Sequence, residues 1–281
     1  MIKLSSIILA LFLLAICLSC SLGTDPAISF IFPLEIGNRW EYSRTFSYTN
    51  IRPDTFEISP DTWRAEAILE INSLDHIFLP ENSPPEFIEA YHLREEYIDD
   101  DTSVYEGDAY YRNAIDGLYS YNSGSIPIWL SDNTIIPENF TIGIFSINDV
   151  MLFKNNSTLD TIIYNAIPQK ILYYPIDMGS QWRLRDREDN SGFRIDKKVV
   201  GSEVITVPAG EFVCVIIQWL YDFDRDECWD DDIEFYDYLC EVGLIKRTIL
   251  FKDNTWPSEY GENLGLVDSI TEIVLTDYHL E

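Results

Sequence analysis

Trp40, Tyr42, Phe46 and Tyr48 stand on alternate positions of one short run, with Glu41, Ser43, Thr45 and Ser47 on the other side. Side chains of a β-strand point alternately to its two faces, whereas helix faces recur every 3.6 residues, so this run predicts a half-buried strand. Trp63, Ala65, Ala67, Leu69 and Ile71 repeat the pattern. It returns in WRLRD, GFRIDKKVV, SEVITV, EFVCVIIQWLY, IEFYDYLC, GLIKRTILF and SITEIVLTDY. Many short strands with turn signals between them, and few helical periods, predict a mainly β fold: an antiparallel sheet curled into a half-barrel, barrel or sandwich.

The punctuation between strands is partly readable. Asp116-Gly117 sits between two aromatic-rich runs, a pairing that favours the tight turns of hairpins, and Pro208-Ala209-Gly210 marks another turn. EFVCVIIQWLY is too continuously apolar for a wet face. AYHLREEYIDD fits a strand or a short helix, and periodicity does not choose. The stretch 123–156, with scattered Pro, Asn and Ser, reads as long loops with short strands. Arg44 interrupts the aromatic row of the first strand, so it either pairs with a carboxylate or lies at an open end of the sheet.

One motif occurs twice. In FIFPLEIGNRWEYS the spacing of Pro33, Gly37 and Trp40 is that of Pro175, Gly179 and Trp182 in LYYPIDMGSQWRLR. Proline donates no backbone hydrogen bond and suits the approach to a strand, and glycine permits the sharp bend before it. Tryptophan then supplies a large apolar side chain at the first inward position. None of the six is an acid, base or nucleophile, so the motif is a structural lead-in, and it predicts two related β units, 30–170 and 171–281.

The N-terminal segment carries Lys3 and then an apolar run from Ile7 to Leu18. That is about half the ~20 residues a membrane-spanning helix needs, and it matches a secretory signal peptide, residues 1–19. Ser19 before Cys20 resembles the site at which bacterial lipoproteins are cut and acylated, although Cys17 stands where a branched or leucine side chain is usual. Cys20 is therefore the expected lipidation site, with 20–29 a tether and the cell envelope, at the outer membrane, the expected location. Cleavage after Ser21 or Gly23, releasing a soluble protein, is the alternative. The formal net charge of −29 at pH 7 repels phosphate backbones and anionic head groups, which disfavours nucleic acid and peripheral membrane contact.

Beyond the signal, Cys214, Cys228 and Cys240 allow at most one internal disulfide. Cys228 and Cys240 flank an acidic turn and are the candidate pair, with Cys214 a small hydrophobe in an apolar strand. Asp222, Asp224 and Asp226 alternate as the ligands of a calcium loop do, but Glu227 and Ile233 stand where an EF-hand needs Gly and Glu. They are a candidate for a looser calcium site, and a solvated acidic turn is the plainer reading. His76, His92 and His279 show no zinc spacing, and the usual signatures of hydrolases, NTPases and dinucleotide enzymes do not occur. No catalytic residue is assigned, and no cofactor other than calcium is considered.

FPLEIGNRWEYS, YYPIDMGSQWRL, ITVPAGEFVCVII and YLCEVGLIKRTILF, in that order, resemble a pattern recurring in bacterial lipoproteins of unknown function. Here Cys240-Glu241 precedes the final Val-Gly, where Pro or Gly is usual. The resemblance implies an extracytoplasmic β-rich protein akin to the curved sheets of lipoprotein carriers, and it transfers no functional residue. The expectation is a non-enzymatic lipoprotein binding an apolar or envelope-derived ligand or a partner protein. A carbohydrate-binding or carbohydrate-hydrolysing module and a purely structural envelope protein are the alternatives.

Overall fold

A computed structural model describes residues 30–53, 62–79, 86–99, 104–122, 168–185, 194–222, 226–257 and 263–281. The signal segment, the tether and the stretch 123–156 lie outside them. Among the described residues there are twelve strands: β1 (Arg39–Arg52), β2 (Thr62–Leu79), β3 (Glu86–Asp99), β4 (Val104–Ala114), β5 (Gly117–Asn122), β6 (Gln169–Tyr173), β7 (Gln181–Arg185), β8 (Arg194–Val207), β9 (Gly210–Asp222), β10 (Ile233–Cys240), β11 (Gly243–Pro257) and β12 (Asn263–His279).

All twelve belong to one antiparallel sheet in which β1 pairs with β12. From that pair each strand neighbours the next in sequence, in both directions, until β6 and β7 are reached as the two edges. Those edges meet through side chains. Trp182 Nε1 on β7 donates to the Lys170 carbonyl on β6 at 3.2 Å, and Lys197 Nζ on β8 donates to the Ile171 carbonyl at 3.3 Å. The sheet is therefore a nearly closed barrel with one seam. Strand twist supplies the curl, and register shifts at Ile71/Ser73, Val199/Gly201 and Tyr238/Leu239 sharpen it. The two Pro/Gly/Trp elements open the six-strand runs β1–β6 and β7–β12, and the boundary drawn at 170/171 falls inside β6.

One end of the barrel is covered twice. The segment before β1 crosses it: the Phe32 amide donates to Tyr174 Oη, and Asn113 Nδ2 donates to the Phe32 carbonyl, while the Phe32 ring lies 5.7 Å from Trp40. The β8–β9 hairpin bends over the same end, where the Ala209 amide reaches the Leu275 carbonyl of β12 and Phe212 packs edge-on against Tyr278.

The alternation expected for β1 is present: Trp40, Tyr42, Arg44, Phe46 and Tyr48 are buried, with half-buried residues between them. Residues 90–99 of AYHLREEYIDD lie in β3, so the stretch is strand that far, and Asp100 lies outside the described residues. Two readings need correction. The β4–β5 turn residues are Ile115 and Asp116, with Gly117 paired to Ala114 as the first residue of β5. A Cβ on Gly117 would stand 2.3 Å from the Leu172 carbonyl, so the glycine answers a close approach of β6 rather than the turn itself. β9 does have a wet face: Val213 is 58% exposed, and from Val215 onward buried and half-buried residues alternate. A barrel wall one sheet thick leaves its outer side to solvent even where that side is apolar.

Candidate functional site

The repeated motif builds the same backbone device at both places. Gly37 and Gly179 have φ of 98° and 82°, a region glycine enters at little cost. The Gly37 amide donates to the Ile71 carbonyl, and the Ile71 amide donates back to Asn38; the Gly179 amide donates to Val199, whose amide donates back to Ser180. A turn closes each bend, from Asn38 to Glu35 and from Ser180 to Asp177. Trp40 and Trp182 are both buried, and each indole donates to a carbonyl, Val242 for Trp40 and Lys170 for Trp182. Pro33 and Pro175 lie on the approach to each bend, and Asn38 Nδ2 holds the Pro33 carbonyl at 2.9 Å.

The barrel interior contains charge. Arg44, Glu95, Lys197, Asp237 and Arg247 are all buried. Asp237 faces Arg247 in register, Arg247 faces Ile273 and Ile273 faces Arg44; in the adjacent row Lys197 faces Trp219, which faces Phe235. Arg247 grips Asp237 with Nε at 2.6 Å and a second nitrogen at 3.2 Å, and Trp219 Nε1 donates to the same carboxylate at 2.7 Å. Lys197 Nζ sits 3.7 Å from the Trp219 ring centre, and Trp219 stacks on Phe235 at 4.4 Å. Burial lowers Lys197 to about 7, opposed by the Asp237 charge, and it raises Tyr42 and Tyr111. Enclosed on every side, the cluster acts as a polar core. A slip of one residue between β10 and β11 would separate Arg247 from Asp237 and strand both charges. Of the two readings of Arg44, the open sheet end is excluded: at 5% exposure it lies inside the barrel. Among the described residues, this part of the concave face is occupied by its own side chains.

Open space lies outside that wall. Past the shift at Ile71/Ser73, β2 and β3 continue as a ribbon, and beside it is a groove of about 620 Å³. Leu34, Leu74, Phe87 and Tyr91 give it apolar surface, with Leu74 41% and Phe87 67% exposed. Arg112, Asn113, His76 and Glu89 supply polar groups, and His76 Nε2 is 3.5 Å from Glu89 Oε1. Asn113 is held by its bonds to the Phe32 carbonyl and to Tyr174 Oη, whose phenol burial pushes up to about 12. One wall of the groove is therefore rigid.

The remaining candidate residues are dispersed. Asp222 is fully buried in β9, Asp226 is exposed and its carboxylate accepts the Cys228 amide at 2.7 Å, and Asp224 lies outside the described residues. Among the described residues no group of three or more His, Cys, Asp or Glu side chains is arranged to hold a metal ion. His92 is fixed against Asp108 at 2.7 Å and stacks on Tyr110, while His279 lies beside Glu281. The candidate pairing of Cys228 with Cys240 is not formed, and neither cysteine is in a disulfide. The reason is geometric. The Cys228 loop lies by the end of β9, where the Asp230 amide donates to Tyr221, and Cys240 lies at the opposite end of β10, about 20 Å away at strand rise. A disulfide needs Cα atoms within about 7 Å. Cys240 instead lies near Cys214, whose thiol donates to the Phe212 carbonyl at 3.8 Å, and the closeness of the two thiols raises Cys214 and lowers Cys240.

Comparison with known proteins adds only broad likenesses. No protein-family model matches the chain, and no curated protein is significantly similar. Among solved structures, a candidate lipoprotein from Parabacteroides distasonis is 13% identical with a TM-score of 0.36, covering 89% of this chain and 99% of its own. A candidate exported protein with a YmcC-like fold from Bacteroides fragilis is 14% identical, with a TM-score of 0.38 and the same coverage. A β-barrel-like protein with a domain of unknown function from Brucella abortus is 8% identical at 0.33, covering 88% and 98%. At such scores these likenesses carry no argument, and the account rests on the residues of this chain.

Proposed function

We propose that this chain is an exported, lipid-anchored, non-enzymatic binding protein, tethered through Cys20, that holds an envelope-derived amphiphile in the groove beside the β2–β3 ribbon. The observation that carries the reading is the pairing of exposed apolar side chains, Leu74 and Phe87, with Arg112 across one open groove whose wall is fixed by Asn113 and Tyr174. An acyl chain or isoprenoid lies against the former and an anionic or polar head against the latter. The buried side chains packed across the concave face among the described residues favour the external groove as the place for cargo. The signal segment and Ser19-Cys20 support the anchor, which would hold the domain at the outer membrane.

The test is Phe87→Ser combined with Arg112→Glu, both at exposed positions. Burial of a phenylalanine on binding is worth about 1.5–3 kcal/mol, so the double variant should retain roughly tenfold less copurifying amphiphile, or lower still, with an unchanged Tm. Equal retention by the variant contradicts the reading. A retained oligosaccharide would favour a glycan-binding module instead, a role that the exposed Phe87 ring near Glu89 also suits.

A further inference from the structure

We propose that Cys214 and Cys240 are a built disulfide site that staples β9 to β10 beneath the bent β8–β9 hairpin. The register carries this. Val215 faces Leu239 as the last pair of the ladder, and one further step in the same register would set Cys214 opposite Cys240. Directly opposed residues have Cβ atoms about 4.5–5.5 Å apart, and a disulfide needs about 3.8 Å, so closure asks for a small adjustment rather than a rearrangement. Both side chains are buried, at 0% and 1% exposure, and the two thiols lie close enough to perturb each other, although the Cys214 thiol itself donates to the Phe212 carbonyl at 3.8 Å. Cys228, exposed at the other end of the strand pair, cannot compete.

The chemistry is thiol–disulfide exchange with an exogenous disulfide, either a dithiol oxidoreductase in its oxidised form or a small-molecule disulfide. The Cys240 thiolate attacks one sulfur, forming a mixed disulfide and expelling the first thiol. Cys214, giving up its proton, then attacks the Cys240 sulfur, forming the internal S–S bond and expelling the second. Two protein thiols are oxidised and one exogenous disulfide is reduced to two thiols. Because the pair is buried in the finished barrel, the exchange precedes final packing of the hairpin.

That the oxidised form is the cellular one rests on the export reading, and the experiment separates the two. The mature protein is isolated from its host with free thiols blocked at lysis and is mapped by peptide mass spectrometry. A second sample is unfolded in reductant and refolded in a glutathione redox buffer. A Cys214–Cys240 linked peptide in both samples, lost on reduction with a fall in Tm, is the expected result. The linked peptide after refolding but not from cells keeps the site and overturns export to an oxidising compartment. Two alkylated thiols after refolding, or a linkage through Cys228, overturn the proposal, and neither readout depends on a variant that must fold.

Discussion

Lys197 shows how a single side chain can stand against the logic of its strand. Its ammonium is buried among Trp219, Asp237 and Arg247, and burial brings its folded pKa down to about 7 from the ordinary 10.5. Between those values the unfolded chain binds more protons than the native protein, so stability rises with pH from about 7 toward 10.5 and is lowest, as far as this group is concerned, below 7. The slope is at most about 1.4 kcal/mol per pH unit. Urea unfolding of wild type and Lys197→Met at pH 7, 8 and 9 should show that slope in the first and not in the second, and an identical slope in both would contradict it. The interior charges were legible in principle. Arg44 lies between Tyr42 and Phe46, Glu95 between Leu93 and Tyr97, Lys197 between Ile195 and Val199, Asp237 between Phe235 and Leu239, and Arg247 between Ile245 and Ile249, each on the apolar phase of its strand. Period-two reading exposes such charges one at a time. Which of them meet depends on the register between strands, set within hairpins for Asp237 and Arg247 and across the closing β1–β12 pair for Arg44, and no single run contains it.

At the scale of the element, the lead-ins were readable because their spacing repeats, and the backbone bonds around Gly37 and Gly179 follow one plan. Their surroundings are not the same. A Cβ on Gly179 meets nothing within 4 Å, whereas one on Gly37 would stand 3.0 Å from Glu281 Cγ. Both substitutions carry the strain of a left-handed φ, about 1–2 kcal/mol, and Gly37→Ala must in addition displace the C-terminal residue, whose amide is held by Asn38. Denaturant midpoints should therefore rank wild type above Gly179→Ala and Gly179→Ala at or above Gly37→Ala; a neutral Gly179→Ala would show that the bend does not need its glycine. Gly117 marks the limit of local reading. Asp-Gly pointed to the right hairpin and the wrong cause, because the Leu172 carbonyl that excludes a side chain there arrives from β6, beyond a long intervening stretch. The cysteines failed for a related reason: proximity along the chain suggested Cys228 with Cys240, while the antiparallel ladder carries Cys240 away from the Cys228 loop and toward the Cys214 end of β9.

For the whole molecule, alternation established that the chain forms a curled antiparallel sheet, and the repeat located where each six-strand run begins. The closing pair β1–β12 and the seam between β6 and β7 are consequences of the complete circuit, and no local pattern encodes them. The packing of the interior likewise follows from where large side chains such as Trp40, Trp219 and Phe235 converge, and the proposed reading therefore looks for a ligand in the groove beside the β2–β3 ribbon. An anchored binder with an external groove is the central claim. Native mass spectrometry of the mature protein, extracted gently from the membranes of its own host, tests it in one spectrum. The account predicts a chain beginning at Cys20 and carrying covalent lipid, with a second, non-covalent mass that dissociates as a single amphiphile. An unlipidated chain beginning after Ser21 or Gly23, or one still carrying residues 1–19, with no retained molecule, would contradict it.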